Sequence, residues 1–380
     1  MPKKVGIITM HRVLNFGSAL QAYALQTAIE RLGFVVEIID YLFPNEYQLS
    51  HQQKKSLWKK LTDGRFWYKL RYHLALKTWL SWDEQEKKFK EFYSKFFKLS
   101  CTYRNYNDLA NNPPLYDYIC IGSDQVWNYK HTCGDVAFLG AFADKSTQRF
   151  SYGSSFSQKK INDDEYESFK IELPEFKAIS VRETSAIDII KKISGKDASV
   201  VVDPVFLLSK DDYEKLAKSS SLKINEKYIL VYILEYNFNP HPFAEHIIKR
   251  IQEQTGYKVI YVLCGGIPTH KLNNSDIISD AGPIDFVNLI SNAEVVITSS
   301  FHGAALSLIL EKNVYAITDY KSNDDRLTNL FSIYHISEHL FNNTDDITKF
   351  KYEAIDYNLT RNYIEEFRTS SLNYLKSVLT

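Results

Sequence analysis

Cysteine is scarce: Cys101, Cys120, Cys133 and Cys264 are the whole complement of 380 residues, and no two of them form a Cys-x-x-Cys pair. That spacing argues against a disulfide scaffold or a structural zinc site, and it suits a reducing cytoplasm. Net charge is also missing, since 46 Lys and Arg balance 46 Asp and Glu. A broad cationic face for duplex nucleic acid, or a strongly acidic tail, is therefore not expected. No apolar run approaches the roughly 20 residues needed to span a bilayer. After Val5–Thr9, the polar residues His11, Arg12 and Asn15 interrupt the first apolar run too early for a signal-peptide core, so secretion is not expected. Solenoid and propeller periods are absent as well.

What is present is ample core material, 44% hydrophobic with 14% aromatic residues, enough for two packed domains. Val5–Thr9 reads as a strand, Ser18–Leu32 as a helix closed by Gly33, and Val35–Ile39 as a second strand. Strand, helix, strand is the unit of a parallel sheet. The rhythm returns with strands at 118–121, 150–152, 179–181 and 200–202 and a helix at 184–193. A second series runs through strands at 228–234, 259–263, 295–298 and 314–317, with helices around 243–254, 286–292 and 303–310 and another expected from Asp324. The expected fold class is α/β, two Rossmann-like domains with a cleft between them: an N-terminal domain over 1–205, a C-terminal domain over 206–345, and a helical tail over 346–380.

Residues 46–112 break this rhythm with long charged and aromatic patterns and read as a helical insertion in the first domain. Between 54 and 80, eight basic residues stand against Asp63 alone, and Trp58, Trp67, Trp79 and Trp82 lie nearby. Such a segment could rest on the inner face of a membrane, or simply pack on the body with its lysines solvated.

Three segments could carry chemistry. The first, Thr9–Ser18, connects the first strand to the first helix and brings His11 and Asn15 to the carboxyl edge of a sheet, where ligands collect. It lacks Gly-x-Gly-x-x-Gly, so a dinucleotide fingerprint is not supported. The plainer reading is that Asn15 or Ser18 caps the helix and Gly17 makes the turn. The second, Gly122–Asn128, leaves an apolar strand with Asp124 and Gln125, which could hold sugar hydroxyls or form an Asx-type turn over a buried Trp127. The third, Thr298–Ser307, ends a buried strand in hydroxyls and His302, with Gly303 allowing close approach at a helix start. A histidine there suits a general acid when an anionic substrate is bound, though a structural histidine has the same signature. Arg182, Lys321 and Arg326 could clamp an anion.

At Asn15–Leu25, Gly122–Asn128 and Ser300–Gly303, together with Ser180–Glu183 and Val202–Pro204, the sequence resembles the polysaccharide pyruvyl transferase family. The resemblance implies a GT-B-like pair of Rossmann-type domains. It also implies transfer of the enolpyruvyl carbons of phosphoenolpyruvate onto two sugar hydroxyls as a cyclic ketal, during cell-surface or exopolysaccharide synthesis. His302 matches the family's general acid, and Arg182 an arginine that meets the donor. Members often carry an arginine two residues before that histidine. This chain has Ser300 there, which leaves the phosphate to Lys321 or Arg326, or points to a different donor. Donor contacts are thus expected from Arg182, Ser300, Gly303, Lys321 and Arg326, and acceptor contacts from His11, Asn15, Asp124 and Gln125. The acceptor would be a sugar or a lipid-linked glycan, and the scheme requires no cofactor and no metal. A GT-B nucleotide-sugar glycosyltransferase and a non-catalytic glycan- or anion-binding module fit the same architecture.

Overall fold

The chain is described from a computed structural model covering residues 2–42, 77–162, 166–235, 238–264, 270–319, 321 and 325–380. Two wholly parallel sheets organise it. The first has the order β3-β2-β1-β4-β5, from β1 (Lys4–Ile8), β2 (Val35–Tyr41), β3 (Leu99–Tyr103), β4 (Tyr118–Ile121) and β5 (Gln148–Ser151). A short pair, β6 (Ser180–Val181) and β7 (Ser199–Val200), continues past β5 through the single bridges Phe150↔Ala178 and Ser154↔Val181. The second sheet has the order β10-β9-β8-β11-β12-β13, from β8 (Tyr228–Tyr232), β9 (Lys258–Val262), β10 (Ser275–Ile278), β11 (Val295–Thr298), β12 (Asn313–Thr318) and β13 (Leu340–Asn342).

Apolar runs buried on both faces put β1, β4, β8 and β11 at the sheet centres, where Val5 pairs with both Val36 and Tyr118, and Ile297 with Val231 and Tyr315. Each sheet reverses its winding direction between two of these strands, β1 and β4 in one and β8 and β11 in the other. Open α/β sheets bind ligands outside the carboxyl ends of strands at such a point. All three motif segments leave these strands.

Helix α1 (Phe16–Arg31) starts where Asn15 Oδ1 accepts from Gly17 N at 2.8 Å and Ser18 N at 3.3 Å. Its small and apolar residues Ala19, Leu20, Ala22, Ala24, Leu25, Ala28 and Ile29 are buried, so it lies inside the molecule. The reason is a core shared by both sheets: Phe16 stacks on Phe286 of the second unit at 4.4 Å and on Phe89 at 5.5 Å. Phe89 belongs to the Lys77–Phe96 helix, which crosses to the second sheet, where Gln85 Nε2 donates to Leu263 O at 2.9 Å and Ala281 O at 3.0 Å. The closing helix, Tyr357–Leu379, contacts both units. It begins with Tyr357 Oη donating to Lys312 O at 2.6 Å and later places Tyr374 Oη 2.9 Å from Ser151 O.

Within the stretch read as a helical insertion, Lys77–Phe96 is helical, but Leu99–Tyr103 is the edge strand of the first sheet, paired to β2. The basic and tryptophan-rich part up to residue 76 lies outside the described residues. No helix among the described residues is long and apolar enough to cross a membrane.

Candidate active site

Among the described residues, four buried ionisable side chains gather where the two sheets' carboxyl edges meet. Asp124 follows β4, Arg182 follows β6, Asp203 follows β7, and His302 opens the Phe301–Ile309 helix after β11. Their exposures are only 6%, 6%, 1% and 6%, so every charge needs a partner close by. Arg182 Nη1 donates to Asp203 Oδ2, and Arg182 Nη2 stands 3.5 Å from Asp124 Oδ1. His302 Nε2 lies 3.4 Å from Asp203 Oδ2, close enough for charge attraction but outside hydrogen-bond geometry. Asp124 Oδ2 accepts from Ser18 Oγ at 2.9 Å, tying the second motif to the first. Asp203 Oδ1 accepts from Val205 N at 3.0 Å.

Burial alone would push both aspartates toward their neutral forms. The neighbouring His302 and Arg182 outweigh it and hold Asp203 and Asp124 below the ordinary carboxylate range, with Arg326 adding to the effect on Asp124. Glu183 goes the other way, because burial raises it and the adjacent Arg182 only partly opposes. Its Oε1 accepts from Ser155 Oγ at 2.9 Å and from Phe156 N at 2.8 Å, which makes it the brace of the loop beneath the site.

Two guanidinium groups flank one ring: Arg182 Cζ is 4.8 Å and Arg326 Cζ 5.9 Å from the Phe301 centroid. Arg326 opens the Arg326–Ile333 helix. With its oxygen turned to that side chain, the Gln125 amide accepts from Arg326 Nη1 at 3.1 Å and Nη2 at 3.3 Å while its nitrogen donates to Ser157 Oγ and His131 Nε2 at 3.2 Å. Burial keeps His131 below the usual histidine range. The cluster therefore combines an enclosed carboxylate pair, two arginines against one aromatic ring, and a histidine at a helix start.

The fit around His302 is tight. A methyl group added at Gly17 would lie 2.1 Å from His302 Nδ1, 2.3 Å from Cγ and 2.7 Å from Cβ, so the start of α1 can approach the ring only with glycine there. Gly303 is constrained similarly, by Thr298 Oγ1 at 2.6 Å from the position a Cβ would take.

The structure brings Asp124, Gln125, Arg182, His302 and Arg326 of the sequence-derived residues together. Others have different surroundings. His11 is buried in its own network: Nε2 is 3.1 Å from Asp40 Oδ1 and Nδ1 3.2 Å from Thr9 O, while Arg12 and Thr102 also donate to Asp40. Burial raises Asp40, but His11 and Arg12 more than offset it and hold the carboxyl low. Asn15 is the α1 cap, and Ser300 Oγ accepts from Gly303 N at 3.3 Å as the cap of the His302 helix. Lys321 lies on an exposed turn after β12, its N–H donating to Asp319 Oδ1 at 3.1 Å. Asp203 and Phe301 are central yet were not among the candidate residues. A carboxylate just before a proline at a strand end was the available sign of Asp203.

Comparison with solved structures finds likeness in fold. A protein described as a UDP-N-acetylglucosamine 2-epimerase from Listeria monocytogenes aligns with a TM-score of 0.50 at 11% identity, covering 100% of this chain and 90% of that one. S. aureus MnaA, solved with UDP, aligns with a TM-score of 0.50 at 12% identity over 96% of this chain and 88% of that one. At such identities the fold alone is shared, two Rossmann-like units in a GT-B-like arrangement. No curated protein sequence matches the chain. The family model described as polysaccharide pyruvyl transferase matches residues 15–322, from the cap of α1 to beyond β12 and across Asp124, Arg182, Asp203 and His302, and the chain belongs to that family.

Proposed function

We propose that this protein transfers the enolpyruvyl carbons of phosphoenolpyruvate to two hydroxyls of one sugar, forming a cyclic ketal and releasing phosphate. The observation that carries this reading is the joint burial of His302, Asp203 and Arg182 between the two sheet edges, with Arg326 sharing the Phe301 ring. Phosphoenolpyruvate is a small anion with a carboxylate and a phosphate, and arginine forks match both groups.

In this mechanism, His302 as imidazolium protonates the methylene carbon of the donor, and Asp203, 3.4 Å from Nε2, stabilises the cationic ring. Arg182, whose Nε has no hydrogen-bond partner among the described residues, and Arg326 balance the donor's negative charge. One sugar hydroxyl attacks the cationic central carbon. Phosphate then leaves, and a second hydroxyl closes the ring. Of the two protons lost by the hydroxyls, one restores His302 and one departs on phosphate, so the reaction balances without metal or redox chemistry. In this reading Asp124 relays a hydroxyl proton and Gln125 orients the sugar. His11 and Asn15 support the acceptor side indirectly, by fixing the loop that begins α1.

The acceptor under this reading is a sugar or a lipid-linked glycan, met in the cytoplasm, with the basic segment before residue 77 as a further contact for the inner membrane face. Thermal-shift titration with phosphoenolpyruvate tests the donor. A saturable upward shift that Arg326→Ala and Arg182→Ala both lose supports the reading. Stabilisation by nucleotide sugars and none by phosphoenolpyruvate would reassign the chain to glycosyl transfer, and binding without phosphate release for any glycan acceptor would make it a binding module.

A further inference from the structure

A second group of metal-ligating side chains stands on the second sheet, apart from the His302 cluster. His241, Glu245 and His270 each present a ligand atom, and the three atoms lie within 4.8 Å of one another. His241 ends the connection after β8, Glu245 stands in the first turn of the Phe243–Thr255 helix, and His270 belongs to the connection after β9. The His241 side chain is only 6% exposed and that of Glu245 17%, whereas His270 is exposed, so two ligands are fixed in the body and one closes from outside.

Carboxylates face both ring nitrogens of His241. Its Nε2 faces Glu235 Oε1 at 3.2 Å, and its Nδ1 faces Glu245 Oε1 at 2.5 Å. Ligating histidines typically turn one ring nitrogen to a carboxylate and the other to the metal, the carboxylate fixing tautomer and ring orientation. Glu235 supplies that orienting contact. The Nδ1 to Glu245 contact brings two would-be ligands side by side. Glu245 Oε2 is buried with no hydrogen-bond partner among the described residues, and the His270 ring stacks on His241 with centroids 4.3 Å apart.

We infer that His241, Glu245 and His270 form a binding site for one divalent transition metal ion, with Glu235 positioning His241. Two imidazoles and a carboxylate suit zinc, or manganese, cobalt or nickel, better than calcium or magnesium. Zinc bonds of about 2.0–2.2 Å to nitrogen and oxygen require ligand atoms roughly 3.4 Å apart in a tetrahedron, so on loading Nδ1 of His241 and the Glu245 oxygen part by about 1 Å while the exposed His270 turns inward. Because the ligands must bind deprotonated, filling the site displaces the proton of the His241–Glu245 hydrogen bond into solvent. The ion would pin the connections after β8 and β9 to the helix that follows. Leu234, next to Glu235, exchanges hydrogen bonds with Ser299, where N to Oγ is 2.7 Å, so the pinned connection adjoins the segment that carries His302. This site is independent of the donor assignment.

The test is calorimetric titration of the chelator-stripped full chain with zinc chloride in two buffers of different ionisation enthalpy. One zinc per chain with net proton release is expected. His270→Ala, an exposed change that leaves the fold intact, and Glu245→Gln should each weaken binding at least tenfold, and Glu235→Gln should weaken it about 10–100-fold with the stoichiometry unchanged. His302→Ala should bind zinc as the unmodified chain does. Cobalt loading gives a second readout, visible absorption of a four- or five-coordinate ion that His270→Ala loses. Absence of binding, or equal binding by the unmodified chain and His270→Ala, would overturn the site.

Discussion

Gly17→Ala separates a packing account of α1 from a functional one. The added methyl group would sit 2.1–2.7 Å from three atoms of His302, including Cβ, so a swing of the ring tip cannot relieve the clash. Either the His302 helix shifts or the start of α1 does. Overpacking of this kind costs about 1–3 kcal/mol. At about 2.1 cal/mol/K of unfolding entropy per residue, a chain of 380 residues that unfolds as one unit would lose about 1–4 °C in Tm. That loss is small, and the fold should survive. The effect on the site should be much larger, since a displacement of about 1 Å in a catalytic group can cost on the order of a hundredfold. The assay pairs scanning fluorimetry with phosphate release from phosphoenolpyruvate, using a glycan pool as acceptor. The expected pattern is a Tm within a few degrees of the unmodified chain and turnover reduced at least tenfold. Unchanged turnover would refute the argument that Gly17 sets the position of His302.

Other consequences follow from the same geometry. Asp203→Asn leaves Arg182 buried against a neutral amide, and breaking a buried pair costs about 3–5 kcal/mol, so scanning fluorimetry should show a clear Tm loss at pH 7. Asp203 and Asp124 are held low in the fold, so the stability they contribute is full above about pH 4 and is lost as pH falls toward their folded values. Tm should therefore stay flat from pH 7 to 5 and drop below about 4, with a shallower acid limb in Asp203→Asn. Ser300→Arg restores the residue that other members often carry, yet here it removes a helix cap and forces a cation into a 5% exposed position; Tm should fall rather than phosphate release rise. Phe286→Ala removes the ring stacked on Phe16 and should cost about 3–5 kcal/mol, measured by denaturant unfolding.

The alternation of apolar runs and helical periods was enough to place β1, β4, β8 and β11, because strands buried on both faces read as unbroken apolar stretches. Short edge strands escaped for the opposite reason: Ser275–Ile278 and Leu340–Asn342 are half-buried and partly polar, and Leu99–Tyr103 follows a charged helix that resembles an insertion. Among the candidate residues, Asp124, Arg182, His302 and Arg326 were legible as polar residues leaving strand ends, and the fold gathers them. The partner of His11 was not legible, since Asp40 is 29 residues away and meets it only through the pairing of β1 with β2. Gly17 reads locally as a turn residue. Its constraint comes from a histidine 285 positions later, which local sequence cannot show.

The central claim is most directly tested by titrating the purified protein with phosphoenolpyruvate and following Tm, in parallel with UDP-sugars. At 100 times its dissociation constant a single-site ligand adds about 2.7 kcal/mol, or about 3 °C for a chain of this length unfolding as one unit. The account predicts a saturable rise of that size with phosphoenolpyruvate, lost in Arg326→Ala and absent with UDP-sugars. A rise with UDP-sugars and none with phosphoenolpyruvate would contradict it.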